Sequence, residues 1–174
     1  MKKSLLTVAV MVAPVPAAYA DDLLTGDTRL ACEAVLCLSS GDRPSECAPS
    51  IKRYFSIKHK KFSDTIKGRL NFLKLCPTSH EPNMPQLINA IANGAGRCDA
   101  AELNRINRAT YTKRVRETTG RYSDRGWTTV EVPYIKNSRP SYCKAYFDHG
   151  WTTAGDAVRY VGEEKEGGKW VDVH

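Results

Sequence analysis

The chain has 174 residues, 41% of them hydrophobic, with 26 Lys and Arg against 19 Asp and Glu and a formal net charge of +7. That length suits one domain with at most a small appendage and is enough to bury a real core. The mild basic excess fits an anionic partner but singles none out, because most basic surfaces are solvated faces.

The N-terminus reads as a secretion signal. Met1-Lys2-Lys3 is a short positive stretch, and Leu5 to Ala13 is an apolar run too short to span a bilayer. Pro14 and Pro16 break that run, and Ala18-Tyr19-Ala20 supplies a small-x-small cleavage site. Cleavage is expected after Ala20. Without Lys2 and Lys3 the cations fall from 26 to 24 against 19 acids, a net charge of +5. No cysteine lies close enough behind the apolar run to suggest a lipoprotein, and no later segment approaches membrane-spanning length. The expected product is soluble and exported.

A first helix is predicted from Thr25 to about Ser39, capped by Thr25 or Asp27, with Leu30, Ala31, Ala34, Val35 and Leu38 as its apolar stripe. Residues 39–44 form a turn. Ser45-Glu46-Cys47 opens a second helix with Pro49 in its first turn and Ile51, Tyr54 and Phe55 inward. After the basic connection Lys58-His59-Lys60-Lys61, Ser63 is the expected cap of a third helix that runs from Asp64 to about Leu75, with Ile66, Leu70 and Leu73 inward. Short loops make these three an antiparallel bundle.

Residues 80–85 form a proline-containing linker, followed by a short helix from Gln86 to Ala92 that Asn93-Gly94-Ala95-Gly96 ends. Asp99 caps a predicted longer helix reaching about Thr118, with Leu103, Ile106, Thr110 and Val115 as a thin apolar face. Arg97 to Arg125 holds eight basic residues against four acidic ones. Only Tyr111 and Tyr122 interleave those charges, fewer aromatics than single-strand binding would want, so a solvated helix face is favoured over a nucleic-acid stripe. Beyond Gly120, Trp127 to Ile135 and Tyr142 to Phe147 read as strands, and residues 159–161 and 169–173 as a hairpin around a Gly-rich turn. The predicted fold class is therefore α+β. A helical domain at 21–118 follows the signal at 1–20, and a β-rich extension at 119–174 packs on it.

All six cysteines, Cys32, Cys37, Cys47, Cys76, Cys98 and Cys143, lie behind the predicted signal, an even set suited to an oxidising compartment. Three disulfides have fifteen connectivities open to them. No C-x-x-C is present, and His59, His80, His149 and His174 are scattered, so redox and zinc readings lack their motifs. Cys32 and Cys37 are five apart on one helix, rotated by about 140°, and so face different neighbours. The bundle geometry brings Cys37 level with Cys47 across the turn and leaves Cys32 for Cys76. The alternative, Cys32 with Cys47 and Cys37 with Cys76, offsets the first pair along the helix axes. Cys98 with Cys143 would tie the tail to the bundle.

One octet occurs twice: residues 122–129 match residues 146–153 at six of eight positions, each copy reading Tyr, then Asp-x-Gly-Trp-Thr-Thr. A turn feeding an aromatic and β-branched start explains both copies without a ligand. The functional alternative makes Tyr122, Trp127, Tyr146 and Trp151 platforms for a glycan strand or partner protein.

No catalytic constellation emerges. Glu33 lacks a second carboxylate at a telling spacing, no G-x-S-x-G or lone cysteine appears, and Gly94-Ala95-Gly96 lacks the strand and third glycine of a phosphate loop. The expectation is a protein with no catalytic residues, metal or cofactor. Peptidoglycan binding or remodelling is the competing class.

Residues 24–41, containing Leu30-Ala31-Cys32-Glu33-Ala34-Val35-Leu36-Cys37, followed by Arg43-Pro44-Ser45-Glu46-Cys47, Tyr54-Phe55, Phe62-Ser63-Asp64 and Asn71-Phe72-Leu73-Lys74-Leu75-Cys76-Pro77, resemble the TrbM/KikA family of conjugal transfer proteins. The likeness is close over Leu24 to Pro77 and thinner beyond. It implies a plasmid-borne periplasmic component of mating-pair formation, the type IV secretion apparatus that moves DNA between cells. It implies protein partners in the envelope and transfers no catalytic residue. On the residues themselves, export, basicity and the paired Trp repeat make peptidoglycan contact a secondary expectation, and nucleic acid is not expected.

Overall fold

The computed structural model describes residues 24–116 and 126–173. The predicted signal, and the first half of the upstream octet with Tyr122, fall outside those residues. Three helices come first: α1 (Gly26–Ser39), α2 (Ala48–Ser56) and α3 (Phe62–Leu73), with Ser45–Cys47 forming a 3₁₀ turn before α2. Thr25 is the N-cap residue of α1, and Ala31, Ala34, Val35 and Leu38 form its buried face. The cap of α3 falls on Lys61 rather than Ser63. Its buried side is also rotated from the predicted one. Thr65, Arg69, Phe72 and Leu73 are buried, while Ile66 and Leu70 are only half-buried. Arg69 takes an inward position because its guanidinium lies 5.0 Å from the ring centroids of both Tyr54 and Phe55, where aromatic faces offset part of its lost hydration.

The fourth helix, α4 (Met84–Gly94), is the centre of the molecule. It packs on α3, α1 and a later helix, α6 (Ser141–Phe147), and buries Leu87, Ile88, Ala90, Ile91 and Ala92. The Tyr54 hydroxyl donates to the Ile91 carbonyl at 3.2 Å. Gly94 is where the backbone must come close, because a Cβ there would sit 2.5 Å from the Tyr146 Cβ. Gly94→Ala should therefore lower stability by about 1–3 kcal/mol through overpacking, read as a lower denaturation midpoint with unchanged slope.

Two sequence expectations are corrected here. The helix after Asp99 is α5 (Ala100–Ile106) and stops well short of Thr118. Arg108–Arg116 is instead strand β1, paired antiparallel with β2 (Trp127–Ile135) over nine residue pairs, from Arg108↔Ile135 to Arg116↔Trp127. Thr110, Tyr111, Thr112 and Val115 are β-branched or aromatic and favour a strand once a partner is present. The second correction is Tyr142 to Phe147, which is helix α6 rather than a strand. Cys143, Tyr146 and Phe147 are buried, and their spacing of three and four is helical, not alternating.

The predicted terminal hairpin is present as β3 (Val158–Val161) paired with β4 (Lys169–Asp172). The tail is more than an addition to the surface. One buried cluster runs from Ala31 and Leu38 through Leu87 and Ile91 to Cys143, Tyr146, Phe147, Val158 and Trp170. The fold is α+β, and the part after residue 119 supplies a wall of the same core.

Disulfides join Cys32 to Cys76, Cys37 to Cys47 and Cys98 to Cys143, the first two being the pairs that the bundle geometry favours and the third the expected tie of tail to bundle. An ion pair adds a tie on the surface: Arg53 Nη2 lies 2.6 Å from Asp27 Oδ2, linking α2 to the start of α1. Hydrogen bonding to Arg53 holds the Asp27 carboxyl below its ordinary range. Because the folded-state value is depressed, the contribution is present above the unfolded carboxylate range and is lost as pH falls through the folded value. Asp27 should titrate below an ordinary aspartate in an NMR pH series, and Arg53→Gln should return it to the usual value.

Candidate functional site

The downstream octet is built into the fold. Tyr146 is 2% exposed, and its hydroxyl donates to the Leu38 carbonyl near the end of α1. Thr152 Oγ1 and the Thr153 amide both donate to the Ser39 carbonyl, at 2.8 Å each. The Gly41 amide donates to Thr153 Oγ1 at 3.0 Å. The last turn of a helix has unsatisfied carbonyls, and this octet satisfies two of them from more than a hundred residues away. Burial pushes the Tyr146 phenol up from its ordinary value. Tyr146 therefore cannot be the exposed platform that the repeat suggested. Trp151 remains 49% exposed beside His149, whose Nδ1 accepts from the Trp151 amide at 3.2 Å.

The upstream octet has a different fate. Trp127 opens β2, is 60% exposed and lies on a projecting two-stranded ribbon. Pleating sorts the ribbon into two faces. One carries Ala109, Tyr111, Lys113 and Val115 with Thr128, Val130, Val132 and Tyr134. Its base is covered by the β3–β4 loop: Lys165 Nζ lies 5.2 Å from the Tyr111 ring centroid, and the Tyr111 hydroxyl donates to the Lys165 carbonyl at 3.3 Å. The other face carries Arg108, Thr110, Thr112, Arg114 and Arg116 with Trp127, Thr129, Glu131, Pro133 and Ile135. The Arg114 guanidinium lies 5.7 Å from the Trp127 ring centroid.

The basic stretch from Arg97 is thus divided rather than continuous. Arg97 is stacked 3.7 Å from the Tyr142 ring centroid and donates to the Asn93 carbonyl, so it belongs to the core margin. Arg105 is paired with Glu102 at 2.6 Å. Among the described residues of that stretch, the outward cations without a carboxylate partner are those of the ribbon. An alternation of Arg and Thr with Ala, Tyr and Val from 108 to 115, interrupted only by Lys113, is the signal that could have revealed it.

A cleft of about 930 Å³ lies between Asp42, Arg43, Asp99, Asp156 and Asp172. Two of its carboxylates already have structural work. Asp99 Oδ1 accepts the Glu102 amide at 2.8 Å as the α5 cap, and Asp172 Oδ1 accepts the Ala100 amide at 3.1 Å. Glu33 is paired with Arg29 at 3.3 Å on the surface of α1. Among the described residues, no group of three His, Cys, Asp or Glu side chains is placed to hold a metal ion. All six cysteines are consumed in disulfides.

The arrangement defines a disulfide-stapled α+β domain that presents a cationic β-ribbon and two exposed tryptophans. No described helix is long and apolar enough to cross a membrane. The TrbM family model matches residues 23–174, nearly the whole chain. The chain belongs to the TrbM family and is a protein related to conjugal transfer. No curated protein and no solved structure matches it.

Proposed function

We propose that this chain is an exported, periplasmic accessory component of a type IV conjugative transfer apparatus, acting by binding other envelope proteins and not by catalysis. The observation that carries this reading is the full pairing of six cysteines in a TrbM-family chain. Disulfides of this kind persist in oxidising compartments, and the basic, apolar and small-residue stretches of residues 1–20 supply a route of export. Engagement of Asp99, Asp172 and Glu33 in structural contacts supports a binding role over a hydrolytic one. The test is complementation of a deletion strain. The full chain should fractionate with the periplasm and restore plasmid transfer, and a version without residues 2–20 should do neither. Transfer that is unchanged by the deletion, or restored by the cytoplasmic version, would overturn the reading.

A further inference from the structure

The hydrogen-bond phase of the ribbon identifies which backbone groups face outward. The Lys136 amide donates to the Asn107 carbonyl at 2.9 Å, so Asn107↔Lys136 is a bonded pair. Bonded and non-bonded pairs alternate in an antiparallel ladder. Ala109, Tyr111, Lys113 and Val115 therefore bond inward to β2, while Arg108, Thr110, Thr112, Arg114 and Arg116 turn their N–H and C=O groups to the open side of β1.

The two edges are not equivalent. On β2 the outward groups belong to Trp127, Thr129, Glu131, Pro133 and Ile135. Pro133 has no N–H, and the Ile135 carbonyl already accepts the Tyr160 hydroxyl at 2.7 Å. All five outward residues of β1 keep a donor and an acceptor, and among the described residues none of these groups is taken by a partner outside the ribbon. The same five residues place Arg108, Arg114 and Arg116 on one face. The two strands together hold four cations, Arg108, Lys113, Arg114 and Arg116, against one carboxylate, Glu131, a net of +3.

We propose that the β1 edge is the docking site for an extended acidic segment of a partner protein, added as a third strand with carboxylates at alternate positions facing Arg114 and Arg116. This deepens the binding role proposed above and rests on it. An added strand satisfies the outward donors and acceptors, and alternate side chains of that strand fall on the arginine face. Trp127 holds Arg114 over that face. Nucleic acid would match the charge but would leave the row of backbone groups unfilled. A second copy adding through the same edge would bring arginines to the same face of both strands, which is repulsive.

The probe is a nine-residue peptide alternating Glu with Val, with a Lys/Val peptide and duplex DNA as controls, titrated into the isotopically labelled, disulfide-intact protein. We expect the Glu peptide alone to bind and to slow hydrogen exchange at the Thr110, Thr112, Arg114 and Arg116 amides, while the inward amides stay as protected as before. Thr112→Pro deletes one outward donor without touching a bonded pair and should weaken binding about tenfold. The double variant Arg114→Glu, Arg116→Glu should weaken it about a hundredfold or more. Protection elsewhere, equal binding of DNA, or loss on charge reversal with no effect of Thr112→Pro would overturn strand addition. In cells, a stable Thr112→Pro protein that supports full plasmid transfer would sink the docking site yet leave the transfer role standing. Transfer that never required the chain would sink the role itself.

Discussion

Cys98→Ser or Cys143→Ser should cost about 4 kcal/mol of stability by loop-closure entropy for a separation of 45 residues. That is a large part of the 5–15 kcal/mol by which ordinary domains are stable. The Cys32–Cys76 bond closes a similar span of 44 residues, but it encloses the Cys37–Cys47 loop, so those two contributions are not independent. The Cys98–Cys143 bond stands apart from both. Urea unfolding of the oxidised variant should show a midpoint far below that of the wild type, with the yield of folded protein falling alongside. A midpoint within experimental error of the wild type would mean that the α4–α6 packing holds the tail without the bond.

The second large effect is expected at Tyr146. Tyr146→Ala removes a ring that is 2% exposed and packed against Gly94, and should cost about 3–5 kcal/mol. It also strips the Leu38 carbonyl of its donor. Tyr146→Phe separates the two contributions. It keeps the ring and leaves one buried carbonyl unpartnered, for about 1–3 kcal/mol. Thermal denaturation of both variants decides the matter. If Tyr146→Phe were neutral, the contribution of Tyr146 itself would be ring packing alone.

The first three helices and the cysteine pairs were legible because the signals there are local. Apolar residues recur at helical spacing along α1, and the turn between Cys37 and Cys47 is too short to admit many geometries. Asp99 was readable as a cap for the same reason, its carboxylate reaching only three residues ahead. The errors lay where a distant partner decides. From residue 108 to 116 the chain has apolar residues that fit a thin helical face, and only pairing with β2 selects the strand. Tyr142 to Phe147 is rich in aromatics, which raised the strand reading, while Gly94 on α4 is what makes room for a helix there. The repeat was visible, but its two uses were not. One copy closes the end of α1 through Thr152 and Thr153, and the other delivers Trp127 to the surface. The alternating arginines were also in plain view, and they acquired meaning only once the ladder phase showed which edge they line.

The ribbon emerges wholly inside the covalent loop that Cys98 and Cys143 close. Its two feet are also laced together, since Asn107 Nδ2 donates to the Ser138 carbonyl at 2.9 Å and the Ser138 hydroxyl donates to Asn107 Oδ1 at 3.0 Å. Tension on the ribbon would therefore reach the disulfide before it could extract α4, which lies outside that loop, from the core. Such a clamp lets a load on the arm be carried without unravelling the helices outside the loop. Under reducing conditions the same load would fall on non-covalent contacts, and single-molecule pulling across residues 116 and 127 should then unfold the protein at a much lower force.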